Sequence, residues 1–110
     1  MQETTPIACT LTAADLADRQ QAWLKVGTFA THASEVPGGL AFAFRAVPGV
    51  DESLHELVQL EAECCEWMTF GLDRSPDTVT MTITGVGEDG ERGVRESFEP
   101  LVSAVARATR

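Results

Sequence analysis

The stretch that decides the fold is Val50–Phe70, which reads VDESLHELVQLEAECCEWMTF. Acidic residues stand in its first turn, where the helix dipole favours them, and no Gly or Pro interrupts it before Gly71, so we predict one helix throughout. Glu61 lies in the middle of the apolar face of this helix, and Cys64 and Cys65 follow it at i+3 and i+4, where side chains touch. One helix face is therefore predicted to present a carboxylate beside two thiols. The apolar residues of that face are Leu54, Leu57, Val58, Cys64, Cys65 and Met68.

Alternating apolar residues predict strands on both sides of this helix. In the first of them, residues 6–11, the side chains of Ile7, Cys9 and Leu11 share one face. Further strands are predicted at 29–35, where the strand is irregular, and at 40–46, and the turn signal Val36-Pro37-Gly38-Gly39 joins them as a hairpin. A short strand at 72–74 is followed by a strand at 78–84, in which Val79, Met81 and Ile83 face inward, and by a polar loop over 85–90.

Further helices are predicted at 13–26 and 94–105, the last broken at Glu99 before Pro100. Trp23 and Trp67 are interpreted as core or interface anchors.

The predicted element order is β-α-β-β-α-β-β-α. It indicates an α+β class, two-layer sandwich with a ferredoxin-like split βαβ unit and an extra C-terminal strand and helix. In that unit the strand at 6–11 is central, beneath the two helices. The length of 110 residues predicts a single domain over residues 1–110.

The charge balance of the chain narrows its partners and its compartment. Eight Lys and Arg residues against 17 Asp and Glu residues give a net charge of -9, which argues against nucleic acid and anionic membranes, since both require a basic surface. The N-terminus lacks the charged and apolar segments of a signal peptide, and no apolar run is long enough to span a membrane. We therefore expect a cytoplasmic protein whose three cysteines are reduced.

The three cysteines are the candidate metal ligands. In the split βαβ order Cys9 approaches Cys64 and Cys65 from below and Arg19 approaches Glu61 from beside, which gives three thiolates with Glu61 and Arg19 next to them. Thiolates select soft ions, so Hg(II), As(III) or Cu(I) are the expected ligands. A catalytic version would use one cysteine as nucleophile and Glu61 as proton carrier, and the residues leave open whether there is catalysis.

The alternative is a domain in which the same residues do no chemistry. Free Cys is a small and commonly buried hydrophobe, and a buried glutamate usually finds a cation, for which Arg19 is the obvious partner. The chain would then be a structural or small-molecule-binding domain, oligomeric through its sheet or its Trp faces. Thiol accessibility separates the two interpretations.

A family resemblance adds to the first interpretation. The segment Ala8-Cys9-Thr10-Leu11-Thr12 together with Leu60-Glu61, Cys64-Cys65 and Phe70 resembles a family of small, largely uncharacterised bacterial proteins loosely associated with soft-metal resistance, especially to mercury. The resemblance implies that Cys9, Glu61, Cys64 and Cys65 are the residues that matter. The chain departs from the family pattern at Glu66, where a Pro usually follows the cysteine pair.

Overall fold

The computed structural model describes residues 13–64 and 67–108, with the side chains of residues 13–16 and of Cys64 left out of the description. The described chain forms α1 (Ala13–Val26), a 3₁₀ turn (Gly27–Phe29), β1 (Ala30–Val36), β2 (Gly39–Arg45), α2 (Val50–Cys64), β3 (Met68–Arg74), β4 (Thr78–Gly85), α3 (Gly87–Ser97) and α4 (Glu99–Ala108). Among these helices, none has the length and apolar character that crossing a membrane requires.

The four described strands form one antiparallel sheet in the order β1-β2-β4-β3. The first two make the predicted hairpin, whose turn places Gly38 at a φ of +86°, a conformation that L residues with side chains rarely adopt. The register of β1 shifts between Ala30 and His32, which agrees with the irregular strand predicted there.

The side chains of the sheet alternate between a buried and a more open face. On β4 the buried residues are Val79, Met81 and Ile83, as predicted, and the intervening threonines are only partly covered. The buried residues of β2 and of the helices belong to the same hydrophobic core. This arrangement is a mixed α+β fold and is consistent with two layers.

The predicted single helix over Val50–Phe70 is wrong in its last part. The helix α2 ends at Cys64, and the chain enters β3 at Met68. From there burial follows the strand period of two, with Met68 buried, Thr69 exposed and Phe70 half-buried, and the Phe70 ring packs against Phe98 with centroids 6.3 Å apart. Packing of these alternate side chains into the core overrides the helical pattern.

The ferredoxin-like split βαβ order is not confirmed. Its central strand was predicted at residues 6–11, which lie outside the described residues. The two inner strands of the described sheet are β2 and β4. Each of them pairs with a described strand on both sides. The strand that lies beside β2 is therefore β4.

The C-terminal helical region is broken as predicted. Val94, Phe98, Leu101 and Val105 are all buried, and Phe98 separates α3 from α4 just before Pro100. The predicted polar loop over 85–90 is shorter than expected, because α3 already begins at Gly87.

Candidate functional site

The predicted helix face of α2 is present and Glu61 continues it. Val50, Leu54, Leu57 and Glu61 are buried at the spacing i, i+4, i+7, i+11, which keeps one face of a helix toward the core. Glu61 is 8% exposed and is the charged residue found buried among those described. A carboxylate removed from water in this way must be compensated by donors or a cation.

Two side chains of α1 supply that compensation. The indole Nε1 of Trp23 donates a buried hydrogen bond of 2.7 Å to Oε2 of Glu61. The Arg19 guanidinium lies on the same oxygen, with Nη1 at 3.4 Å from Oε2. Because residues four apart lie on one helix face, α1 presents Arg19 and Trp23 together to Glu61. The predicted burial of Glu61 and its pair with Arg19 are thus confirmed.

The two contacts differ in kind. The Trp23 bond is short and charge-assisted, which makes it one of the stronger hydrogen bonds of a protein. The Arg19 contact is an ion pair without hydrogen-bond geometry. The Nη1 atom of Arg19 is buried, and it has no hydrogen bond within the described part of the chain. The side chains of Arg19 and Glu61 are 14% and 10% exposed, so the pair is mostly, but not fully, removed from water.

The geometry of α1 and α2 follows from the sheet register. Ala30 follows α1 after the 3₁₀ turn and pairs with Phe44, near the end of β2, and β2 leads into α2. The end of α1 and the start of α2 therefore lie at the same end of the sheet, and the helices run antiparallel. Near the end of α2, Glu61 contacts Trp23 in the last turn of α1 and Arg19 one turn before it.

The predicted metal ligands fall where the structure gives no side-chain geometry. Cys64 is the last residue of α2, and Cys9 and Cys65 lie outside the described residues, so the three-thiol arrangement stays a prediction. Among the residues that are described, no group of three His, Cys, Asp or Glu side chains is placed to hold a metal ion. His55 forms an exposed pair with Asp51 at 3.3 Å.

The role of Trp23 was missed in the sequence. Its position on the inner side of α1 predicted only a core or interface anchor. A usable signal was present, because a buried indole N–H normally needs an acceptor and Glu61 was the predicted buried acceptor. The second indole, Trp67, is also buried, and its Nε1 has no hydrogen-bond partner in the part of the chain that the structure describes.

Comparison with known proteins gives no further assignment. No family model, curated protein or solved structure shows significant similarity to this chain.

Proposed function

We propose that the protein binds a soft thiophilic metal or metalloid, such as Hg(II), As(III) or Cu(I), through Cys9, Cys64 and Cys65. Glu61 and Arg19 would stand beside the thiols without ligating the ion. The observation that carries this proposal is the buried Glu61, clamped by Trp23 and Arg19, one helical turn before Cys64. A carboxylate fixed at that position can accept a thiol proton when a metal binds, since binding requires the thiolate.

The contact between α1 and the end of α2 supports the participation of Cys9. Cys9 stands four residues before Ala13, where α1 begins, and Arg19, in the middle of α1, contacts Glu61 near the end of α2. Four residues of extended chain reach at most about 14 Å. We therefore propose that Cys9 is close enough along the chain to join the cysteine pair.

The local charges also favour a metal with thiolate ligands. Arg19 already balances Glu61, so the bound ion alone has to balance the charge of the thiolates. A cytoplasmic, reducing compartment, which the cysteine content predicts, would keep the thiols free for binding. The proposal concerns binding and assigns no catalytic step.

The test is a titration of the reduced protein with Hg(II) and with arsenite, followed by counting of the free thiols. We expect one ion per chain and the loss of three titratable thiols. Cys64→Ser and Cys65→Ser should abolish tight binding and Cys9→Ser should weaken it. Ser103→Ala, at a half-buried position of α4, is a control that should leave metal binding unchanged.

Two results would reject the proposal. Thiols that react only after unfolding, together with no metal uptake, would identify the cysteines as core residues of a structural or small-molecule-binding domain. Unchanged binding in Cys9→Ser would exclude the three-thiol form and leave the pair alone as a two-coordinate site. Analytical ultracentrifugation of the same samples would test the predicted homo-oligomer.

A further inference from the structure

A groove is lined by residues of α1, of the 3₁₀ turn and of α2, and the thiol proposal does not use it as a binding site. Its volume is about 620 Å³, which lies within the range of roughly 300–1,000 Å³ typical of small-molecule sites. Most of its wall is apolar and includes Val26, Phe29, Val50, Leu57 and Leu60. Leu60 is 38% exposed, and it is one of two large apolar side chains found exposed in the described chain.

The wall of the groove carries a cation for which the described residues provide no ion pair. Lys25 lines the wall near Phe29 and Val50 and is the one lysine of the sequence. None of the ion pairs formed by the described residues includes it. Lys25 lies in the last turn of α1, where its positive charge interacts favourably with the helix dipole. That interaction does not prevent the ammonium from contacting a ligand.

The acidic residues of the wall stand away from Lys25. Asp18 precedes Lys25 by seven residues, or about 10 Å along α1, and Glu56 follows Val50 by six residues, or about 9 Å along α2. Arg19, the other cation of the wall, is already engaged by Glu61. The groove thus combines one available positive charge at one end with an apolar floor that continues to Leu60.

We propose that this groove binds an amphipathic monocarboxylate, with the carboxylate at Lys25 and the apolar tail along Val26, Leu57 and Leu60. The ten residues from Val50 to Leu60 span about 15 Å of helix, which accommodates a straight chain of about ten carbons. The exposed Lys25 directs the ligand, and the burial of the tail supplies most of the affinity. The proposal gives the cysteines no role in binding this ligand.

The experiment titrates the full chain with decanoate, using decanol and decyltrimethylammonium as ligands of the same tail and different head charge. Calorimetry gives affinity and stoichiometry, and ¹H–¹⁵N NMR spectra locate the site. We expect one decanoate per chain, with shifts in residues 18–29 and 48–60 and none on the open face of β4. The affinity for decanoate should exceed that for decyltrimethylammonium and should fall with salt.

Matched variants separate head from tail recognition. Lys25→Gln should weaken decanoate about fivefold and leave decanol unchanged. Arg107→Gln removes an exposed cation of α4 outside the groove and should have no effect. Leu60→Gln should weaken both ligands, whereas Val86→Gln, at the other exposed apolar residue, should weaken neither.

Three results would overturn the proposal. Equal affinity for the three ligands, or an unchanged affinity for decanoate in Lys25→Gln, would show that the groove does not recognise a carboxylate. NMR shift changes confined to residues outside the groove walls would show that the ligand binds elsewhere. Absence of saturable binding, in a chain that is folded by NMR, would mean that the groove is filled by another part of the chain or by a second copy.

Discussion

The hydrogen bond from Trp23 to Glu61 can be measured separately from the packing of the indole. The comparison is Trp67, a second buried tryptophan whose N–H has no hydrogen-bond partner among the described residues. Trp23 and Trp67 are 5% and 8% exposed, so replacement by Phe removes a comparable amount of buried surface from each. The Phe at position 23 would keep an aromatic ring against Phe98, with which Trp23 packs edge-to-face at 5.2 Å. Only Trp23→Phe also removes a donor from the Glu61 carboxylate.

The expected difference follows from the type of bond lost. A hydrogen bond to a charged group contributes about 1.5–3 kcal/mol, so Trp23→Phe should lower the free energy of unfolding by about 2 kcal/mol more than Trp67→Phe. In a chain of this size that corresponds to a Tm lower by about 8 °C. Trp67→Phe removes a buried N–H that lacks a partner in the described structure, which offsets part of its packing loss.

Urea unfolding followed by circular dichroism provides the free energies, and a double-mutant cycle with Glu61→Met isolates the pair. The coupling between Trp23→Phe and Glu61→Met should be about 1.5–3 kcal/mol. Equal destabilisation by the two Trp→Phe changes, or a coupling near zero, would refute the assignment of this bond as the main support of Glu61.

Two other predictions concern the stability of the fold. Gly39→Ala should destabilise the fold by about 1–3 kcal/mol, because the added Cβ would clash with the backbone carbonyl of Ile83. The control is Gly71→Ala, at a strand position with open space around it, which should leave the Tm nearly unchanged in a thermal melt. Arg95→Gln should cost less than about 1 kcal/mol despite contacts of Arg95 with Glu35 and Glu91, because all three side chains are solvated; a larger loss in urea unfolding would show that these pairs hold α3 to β1.

Local patterns predicted most of the elements. The bounds of α1, the hairpin turn at Gly38 and the inward residues of β4 all follow from spacing within one segment, and the structure has them as predicted. The end of α2 was missed because Met68 fits both the apolar helix face and a buried strand position, and no Gly or Pro interrupts the chain before Gly71. Pairing with β4 decides between the two periods, and a local pattern does not contain that contact.

The order of the strands was missed for a related reason. Residues 6–11 and 78–84 both alternate, so either segment could in principle lie beside β2. The structure places β4 there, where Met81 and Val79 pair with Phe42 and Phe44 across the strands. Such cross-strand pairs between large buried side chains stabilise a sheet, but their partners are separated by more than 30 residues and cannot be read from periodicity.

Within the site, the buried pair was predicted and the hydrogen bond from Trp23 was not. Glu61 interrupts an apolar face and therefore demanded a partner, and Arg19 was the available cation on the neighbouring helix. Trp23 was placed on the core side, but the direction of its N–H depends on how α1 lies against α2. Side chains of a helix lean toward its N-terminus, so in an antiparallel pair Trp23 and Glu61 lean toward one another.

Arg19 belongs to both proposed sites, and this has consequences for how variants are chosen. It lines the groove and also contacts Glu61, so its replacement would disturb the carboxylate beside the cysteines and the wall of the groove together. Lys25→Gln and Cys64→Ser are suitable variants because each changes a residue that is assigned to one proposed site alone. If decanoate changes the affinity for arsenite in the native chain, Arg19 is the physical link between the sites. That coupling should then disappear in Arg19→Gln and persist in Lys25→Arg, which retains the charge at the groove.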